Sequence, residues 1–252
     1  MREDTRSIFD DIRDEIGRAM GITKTRTIVV GLGGSESWAV LLAAVDMVGG
    51  DNTLAVTVHS TQTDSNIPWK LGALCREIRM EHCAIDVTRV LSETLDARID
   101  LGQIQIEPLH RTMDHLMKAE VMADIRDGMV RAIASRHNSL YLGAVSGSKI
   151  IRRWGVPAAQ SFDWNPIHAY THHQLKRAVA GRGIGRDVVD MKSTLDLLPD
   201  GGPFAPSLDD VPVSGVVRVP RFGMGLFQEM IDEGGREEDD VCQGQDSRAE
   251  GV

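Results

Sequence analysis

Apolar residues recur at spacings of three and four between Ser7 and Met20, where Ile8, Phe9, Ile12, Ile16 and Met20 fall on one side of a helical turn. This predicts an amphipathic helix whose stripe packs on something further along the chain. The β-branched run Thr27 to Val30 reads as a short buried strand. It ends in Gly31, Gly33 and Gly34, after which Trp38 to Val48 returns to a helix-compatible apolar stretch. Leu54 to Val58 predicts a second buried strand, Trp69 to Met80 a helix that opens just after Pro68, and Cys83 to Val87 a third strand. Helices are predicted over Leu109 to Met117 and Ala119 to Ser135, with a strand at Leu140 to Leu142. Strands alternating with helices imply parallel pairing through right-handed crossovers. The expected fold class is therefore α/β, a doubly wound parallel sheet with its ligand at the carboxyl ends of the strands.

From Gly143 to Arg153 the pattern gives way to glycine, serine and arginine, followed by Pro157 and Pro166, and loops over the ligand edge are expected there. Helices return at Thr171 to Ala180 and Arg186 to Asp190, whereas Pro199 to Ser214 carries proline, glycine and aspartate without periodicity. The segment 232–252 is acidic, glycine-rich and nearly free of bulky apolar residues, so it cannot offset its own ordering entropy and is expected to be disordered. Residues 1–231 are read as a single domain, with no internal repeat.

Composition narrows the function classes. A formal net charge of −9 argues against a nucleic-acid partner, because grip on a phosphate backbone comes from neutralising many charges. Cys75, Cys83 and Cys242 are too few and too irregular for a disulfide framework, and no C-x-x-C pair marks structural zinc. A reducing, cytoplasmic location is expected. No basic stretch followed by an apolar core opens the chain, and no window reaches about 18 uninterrupted apolar residues, so neither secretion nor membrane insertion is expected.

The candidate chemistry sits between the first strand and the next helix. Adjacent glycines there let backbone approach an oxyanion closely, and the helix start adds unpaired amides and partial positive charge. The spacing fits neither G-x-G-x-x-G nor G-x-x-x-x-G-K-[ST]. A tight turn that merely lets strand and helix pack is the plainer alternative. A third loop type, the S-G-G-x-D-S of ATP pyrophosphatases, matches Leu32-Gly33-Gly34-Ser35-Glu36-Ser37 at both glycines and the final serine, with Leu for the first Ser and Glu for Asp.

The downstream order of features extends this likeness, and over roughly Ser7 to Leu198 the sequence resembles the ammonia-dependent NAD synthetases. Leu54 to His59 sits where that family has its second strand, facing the adenine. Ala119 to Ala134, with Ala123 and Arg126, resembles the helix carrying N-x-x-A-R-x-R. Leu140-Tyr141-Leu142-Gly143 resembles the strand ending in G-T-G-N, and Asp163-Trp164-Asn165-Pro166-Ile167 with Gln174 after it resembles D-x-N-P-I. Ser193 to Leu197 resembles P-S-A-D-L.

The resemblance implies an adenine nucleotide alpha hydrolase-like fold and a set of roles. ATP would adenylate a small-molecule carboxylate, pyrophosphate would leave on magnesium, and ammonia would attack the acyl-adenylate. Gly31, Leu32, Gly33, Gly34, Ser35, Ser37, His59 and Gly143 would bind ATP, and Glu36 would take the place of the aspartate that holds Mg2+. Magnesium prefers short, near-octahedral oxygen contacts, so the extra methylene of Glu36 has to be absorbed by backbone or metal movement. Leu32 cannot replace a hydroxyl donor. Ser37, Lys149 and Arg153 are the candidate catalytic residues. Lys149 aligns with the family's second metal-binding Glu and would set a fixed ammonium where a magnesium ion neutralises pyrophosphate; Arg153, at the lysine of T-K-x-G-D, would grip phosphate. Ala144 stands at the threonine of G-T-G-N, His172 near the lysine of L-Y-K-T, and Glu120 at the first residue of N-x-x-A-R.

The resemblance also implies a homodimer through the long helices 109–135. The alternative is a non-catalytic relative that binds nucleotide or serves as partner subunit to an active paralogue. His168, His172 and His173 could ligate zinc if His168 and His172 shared a helix starting near His168, or could line its solvated first turn or meet phosphate. Cys75 and Cys83 read as inert buried thiols, and His110 and His115 as structural.

Overall fold

The computed structural model describes residues 2–61, 66–101, 110–152 and 161–189. The elements are α1 (Arg2–Thr23), β1 (Ile28–Gly31), α2 (Ser35–Val48), β2 (Thr53–His59), α3 (Ile67–Glu77), β3 (Glu81–Asp86), α4 (Thr88–Leu101), α5 (His110–Arg136), β4 (Leu140–Leu142), α6 (Gly147–Arg152), α7 (His172–Gly181) and α8 (Arg186–Val189). The four described strands pair in parallel in the order β3-β2-β1-β4. The chain leaves β1 for β2 on one side and returns to its other side with β4, which puts the topological switch point between β1 and β4.

Two-residue alternation along the strands assigns each side chain to a face. Ile28 and Val30 of β1, Ala55 of β2, and Leu140 and Leu142 of β4 join Ile12, Ile16, Trp38, Leu41, Leu71, Leu175 and Val179 from α1, α2, α3 and α7 in one core. Val29, Val56, Val58 and Tyr141 point the other way, into a second core with Leu91 of α4 and Val121, Met122, Val130 and Ala134 of α5. The stripe of α1 thus finds its partner in α2 and α7. Polar ties fix its other edge, with the Tyr170 hydroxyl donating to Asp11 at 2.6 Å and the Trp164 indole to Glu15 at 3.2 Å.

Several expectations need correction. The two helices expected over 109–117 and 119–135 are one from His110 onward: a continuous α5 runs through Lys118, since no proline or glycine near it breaks the hydrogen-bond ladder. The strand expected at Cys83 to Val87 is β3, Glu81–Asp86, a half-exposed edge of the described sheet covered by α3 on one side. Helix α4 was not anticipated. Val87 just before it and Leu91 in its first turn are buried, too thin a stripe to read, and its start is held by the Asp86 carboxylate, which accepts from the Thr88 amide and hydroxyl at 2.8 and 2.6 Å.

The expected loop 143–153 contains α6. Its first residue, Gly147, donates to the Tyr170 carbonyl at 2.8 Å, and a Cβ there would stand 2.6 Å from the His168 carbonyl oxygen. This close backbone approach between distant segments shapes the turn, and local sequence does not encode it. Helix α7 begins at His172 rather than near His168. Thr171 and Gln174 form a reciprocal capping box there, the Thr171 hydroxyl accepting from the Gln174 amide at 3.1 Å. His168 lies in the preceding turn and shares no helix with His172, so the paired-histidine route to zinc falls away.

All described residues lie in one compact unit, Met1–Pro212. The domain limit at 231, the acidic segment 232–252, Ser193 to Leu197 and the stretch 199–214 lie outside the described residues. Among those described, no helix is long and apolar enough to cross a membrane.

The turn Gly50–Asn52 enters β2 against the end of α3, and a Cβ on Gly50 would lie 2.2 Å from the Arg79 carbonyl oxygen. Backbone cannot yield there as a flexible side chain would. Gly50→Ala is expected to lower stability by roughly 1–3 kcal/mol, read as a lower urea midpoint; an unchanged midpoint would contradict this packing.

Candidate functional site

At the carboxyl ends of β1, β2 and β4 a cavity of about 200 Å3 opens on the face covered by α5. Gly31, Leu32, Gly33, Gly34, Glu36 and Ser37 form its first wall. Gly143, Ala144, Val145 and Lys149 form the second, and Ala123, Arg126, Asp127 and Val130 of α5 form the third together with Tyr141 and Phe162.

The first wall is a strand-to-helix turn. Leu32 extends the β1–β2 ladder by one bond, its amide donating to the Val56 carbonyl at 2.7 Å, and its side chain is buried in the core. The Ser37 hydroxyl accepts from the Gly33 amide and donates to the Gly34 carbonyl, both at 2.8 Å, and so braces the turn. Gly34 precedes α2 in extended conformation without a side-chain cap. No described residue accepts a hydrogen bond from the first-turn amides of Ser35 and Glu36, and such amides are where a helix start receives an anion.

The electrostatic centre joins α2, α6 and α7. Glu36 is 4% exposed, and its Oε2 forms an ion pair with the Lys149 ammonium, itself 9% exposed. His172 Nδ1 stands 3.5 Å from Oε1, short of a fully formed hydrogen bond, and the Ser146 hydroxyl lies close by. Burial alone would raise the carboxyl pKa; the Lys149 charge and the surrounding donors outweigh it and hold Glu36 at about 2, against an ordinary 4.5.

The α5 wall carries a different arrangement. Arg126 is largely covered, its Nε is buried without a hydrogen-bond partner among the described residues, and burial pushes the guanidinium pKa down to about 10, so it stays charged at neutral pH. Its neighbour Asp127 is engaged, accepting from the Tyr141 hydroxyl at 2.8 Å and the Ser161 amide at 2.9 Å. Burial and the Asp127 charge raise the Tyr141 phenol, which keeps it protonated as a donor.

The segment Asp163 to Ile167 acts as a brace behind this wall. Asp163 accepts from the Tyr141 amide at 2.8 Å and pairs with Arg131, while the Asn165 amide donates to the Val145 carbonyl at 2.8 Å. The Phe162 ring packs so closely that a Cβ on Gly143 would meet three of its atoms at 2.6–2.9 Å.

Of the residues singled out in the sequence, Gly31, Leu32, Gly33, Gly34, Glu36, Ser37, Gly143 and Lys149 meet at the cavity. Ser35 lies in the first turn of α2 without lining it, its buried hydroxyl without a partner among the described residues. His59 ends β2, where its carbonyl accepts from the Val87 amide at 2.9 Å, outside the cavity. Arg153 lies outside the described residues. No role was assigned in the sequence to the Arg126 guanidinium, to Asp127 or to Phe162, nor to His172 as a neighbour of Glu36. One signal pointed to the first: Ala123, Arg126 and Val130 share an i, i+3, i+7 stripe, and an arginine in a sheet-facing stripe is out of place unless it serves a cavity.

The chain is similar in structure to the NMN synthetase from Francisella tularensis, with a TM-score of 0.63 and 15% identity over 79% of this chain and 77% of that one. The NAD+ synthetase from Burkholderia pseudomallei matches with a TM-score of 0.63 and 16% identity over 81% and 77% of the two chains. A glutamine-dependent NAD+ synthetase from Acinetobacter baumannii, solved in complex with adenosine diphosphate, matches with a TM-score of 0.57 and 14% identity over 74% of this chain and 35% of that one. No protein-family model and no curated protein matches the sequence. The chain therefore has the NAD synthetase-like form of the α/β, adenine nucleotide alpha hydrolase-like fold.

Proposed function

We propose that a chain with this fold and this cavity is an ATP-dependent, amide-forming ligase that adenylates a small-molecule carboxylate and transfers ammonia to it. The observation that carries the reading is one cavity with two anion receptors. The uncapped start of α2 and the Arg126 guanidinium, whose buried Nε has no partner among the described residues, both line it.

The α2 amides suit the phosphates of ATP, and Arg126 suits a carboxylate. Attack of that carboxylate on the α-phosphorus breaks the bond to pyrophosphate and gives an acyl-adenylate; ammonia then attacks the acyl carbon and AMP departs. Lys149 lies on the phosphate side of the cavity, where a positive charge favours the departing pyrophosphate. Val56, Val58, Val130 and Phe162 offer an apolar wall to the acyl group. The residues present do not fit a magnesium ion. The carboxylate of Glu36 is paired with Lys149, and among the described residues no three of His, Cys, Asp and Glu converge. The proposed setting is a cytoplasmic homodimer built across α5, consistent with acidic charge and with the free thiols Cys75 and Cys83.

A second reading, a nucleotide-binding partner subunit of an active paralogue, draws on the internal engagement of Ser37 and Glu36. The test that separates them is pyrophosphate release from ATP and ammonia across a panel of carboxylates. Release is expected with at least one carboxylate, slow or absent with deamido-NAD, and Arg126→Met is expected to raise the carboxylate KM about tenfold or more, as loss of a charged hydrogen bond does. ATP binding without release across the panel would favour the partner subunit, and absence of ATP binding would sink both.

A further inference from the structure

Among the described residues two carboxylates line the cavity, and both are taken. Asp127 is held by the Tyr141 hydroxyl and the Ser161 amide. Glu36 is held by the Lys149 ammonium, with His172 Nδ1 at 3.5 Å from its other oxygen. A magnesium ion demands oxygen ligands in near-octahedral array and dehydrates reluctantly, so a wall without an available carboxylate has little to offer it. The same wall already holds a cation. Lys149 has three N–H donors, and Glu36 is its partner among the described residues, which leaves donors for a second anion on the side of the α2 amides.

We propose that this site takes the polyphosphate of its nucleotide without magnesium, with Lys149, fixed by Glu36, as the built-in cation. The proposal rests on the reading of the cavity as a nucleotide site and deepens it. Buried in a wall of low polarisability, a lysine anchored by one carboxylate is already oriented when the phosphates arrive, so little is lost in ordering it. A nucleotide that arrives as its magnesium complex brings a second cation towards the ammonium and offers fewer uncovered oxygens. The metal-free nucleotide is therefore the preferred ligand.

The experiment is calorimetric titration of the full chain with ADP, once in EDTA and once in saturating magnesium. Binding in EDTA is expected, with affinity equal to or greater than that in magnesium. In the variant Glu36→Gln/Lys149→Met, which removes both charges together and so leaves no orphan, ADP affinity in EDTA is expected to fall about tenfold or more and not to recover with magnesium. Lys149→Glu is expected to turn binding into a magnesium-dependent event, since it adds a carboxylate beside Glu36. A wild-type chain that binds ADP only with magnesium, or a double variant that binds as tightly as wild type in EDTA, would overturn the proposal while leaving the nucleotide site intact. Failure to bind ADP under either condition would remove the nucleotide site itself.

Discussion

Replacing Lys149 with methionine is expected to cost the fold about 3–5 kcal/mol at neutral pH, the range in which removal of one member of a buried ion pair falls. The variant leaves Glu36 as a nearly covered carboxylate whose remaining close neighbours are His172 and Ser146. The depressed carboxyl expresses the same contact: holding Glu36 at about 2 instead of 4.5 corresponds to about 3 kcal/mol of stability. Because the folded pKa lies below the ordinary value, this contribution is complete above pH 4.5 and is lost as the pH falls through the interval towards 2. In Lys149→Met the sign reverses. Burial then raises the Glu36 pKa, the protonated form is favoured in the fold, and the deficit against wild type shrinks as the pH is lowered. Urea unfolding of both proteins at pH 7 and pH 4 measures this directly. Equal stability at pH 7, or a deficit that grows on acidification, would show that the pair does not hold the junction of α2, α6 and α7.

Gly33→Val is expected to have the opposite profile, with large loss of binding and little loss of stability. A Cβ at Gly33 would meet nothing within 4 Å, because the residue faces the open cavity. Added methyls there cost the apo fold little, within about 1 kcal/mol. They would occupy the space over the α2 amides, however, and ADP affinity is expected to drop on the order of 100-fold, or about 2.7 kcal/mol. Gly143→Ala is the useful contrast. Its Cβ would press on the Phe162 ring, so both stability and binding should suffer. If Gly33→Val bound ADP as wild type does, the phosphates would have to lie elsewhere, and the assignment of the first wall would fall.

These two glycines show how unevenly the site could be read in the sequence. Gly33 was legible because a β-branched run, a glycine pair and a helical stripe follow one another within about twenty residues, and that order is itself the structure of the first wall. Gly143 was legible only through the resemblance of Leu140 to Gly143 to a family loop. Its physical reason, the ring of Phe162, comes from a segment nineteen positions away. The same distance effect explains α6, whose fold depends on backbone contact between Gly147 and the turn at His168 and Tyr170. It also explains His172, read first as a member of a histidine cluster and found beside Glu36, 136 positions earlier in the chain.

Hydrophobic periodicity determined the succession β1, α2, β2, α3, β3, α5 and β4, the parallel sheet and the position of the glycine turn, though not α4 or α6, because periods of two and of three to four are local properties of the chain. Tertiary structure decided the charge state of that turn. Glu36 read as a carboxylate awaiting a metal until the packing of α6 against α2 brought Lys149 to it. The partner of a buried charge cannot be read from its neighbours in sequence, since desolvation makes the choice only after the elements have closed around it.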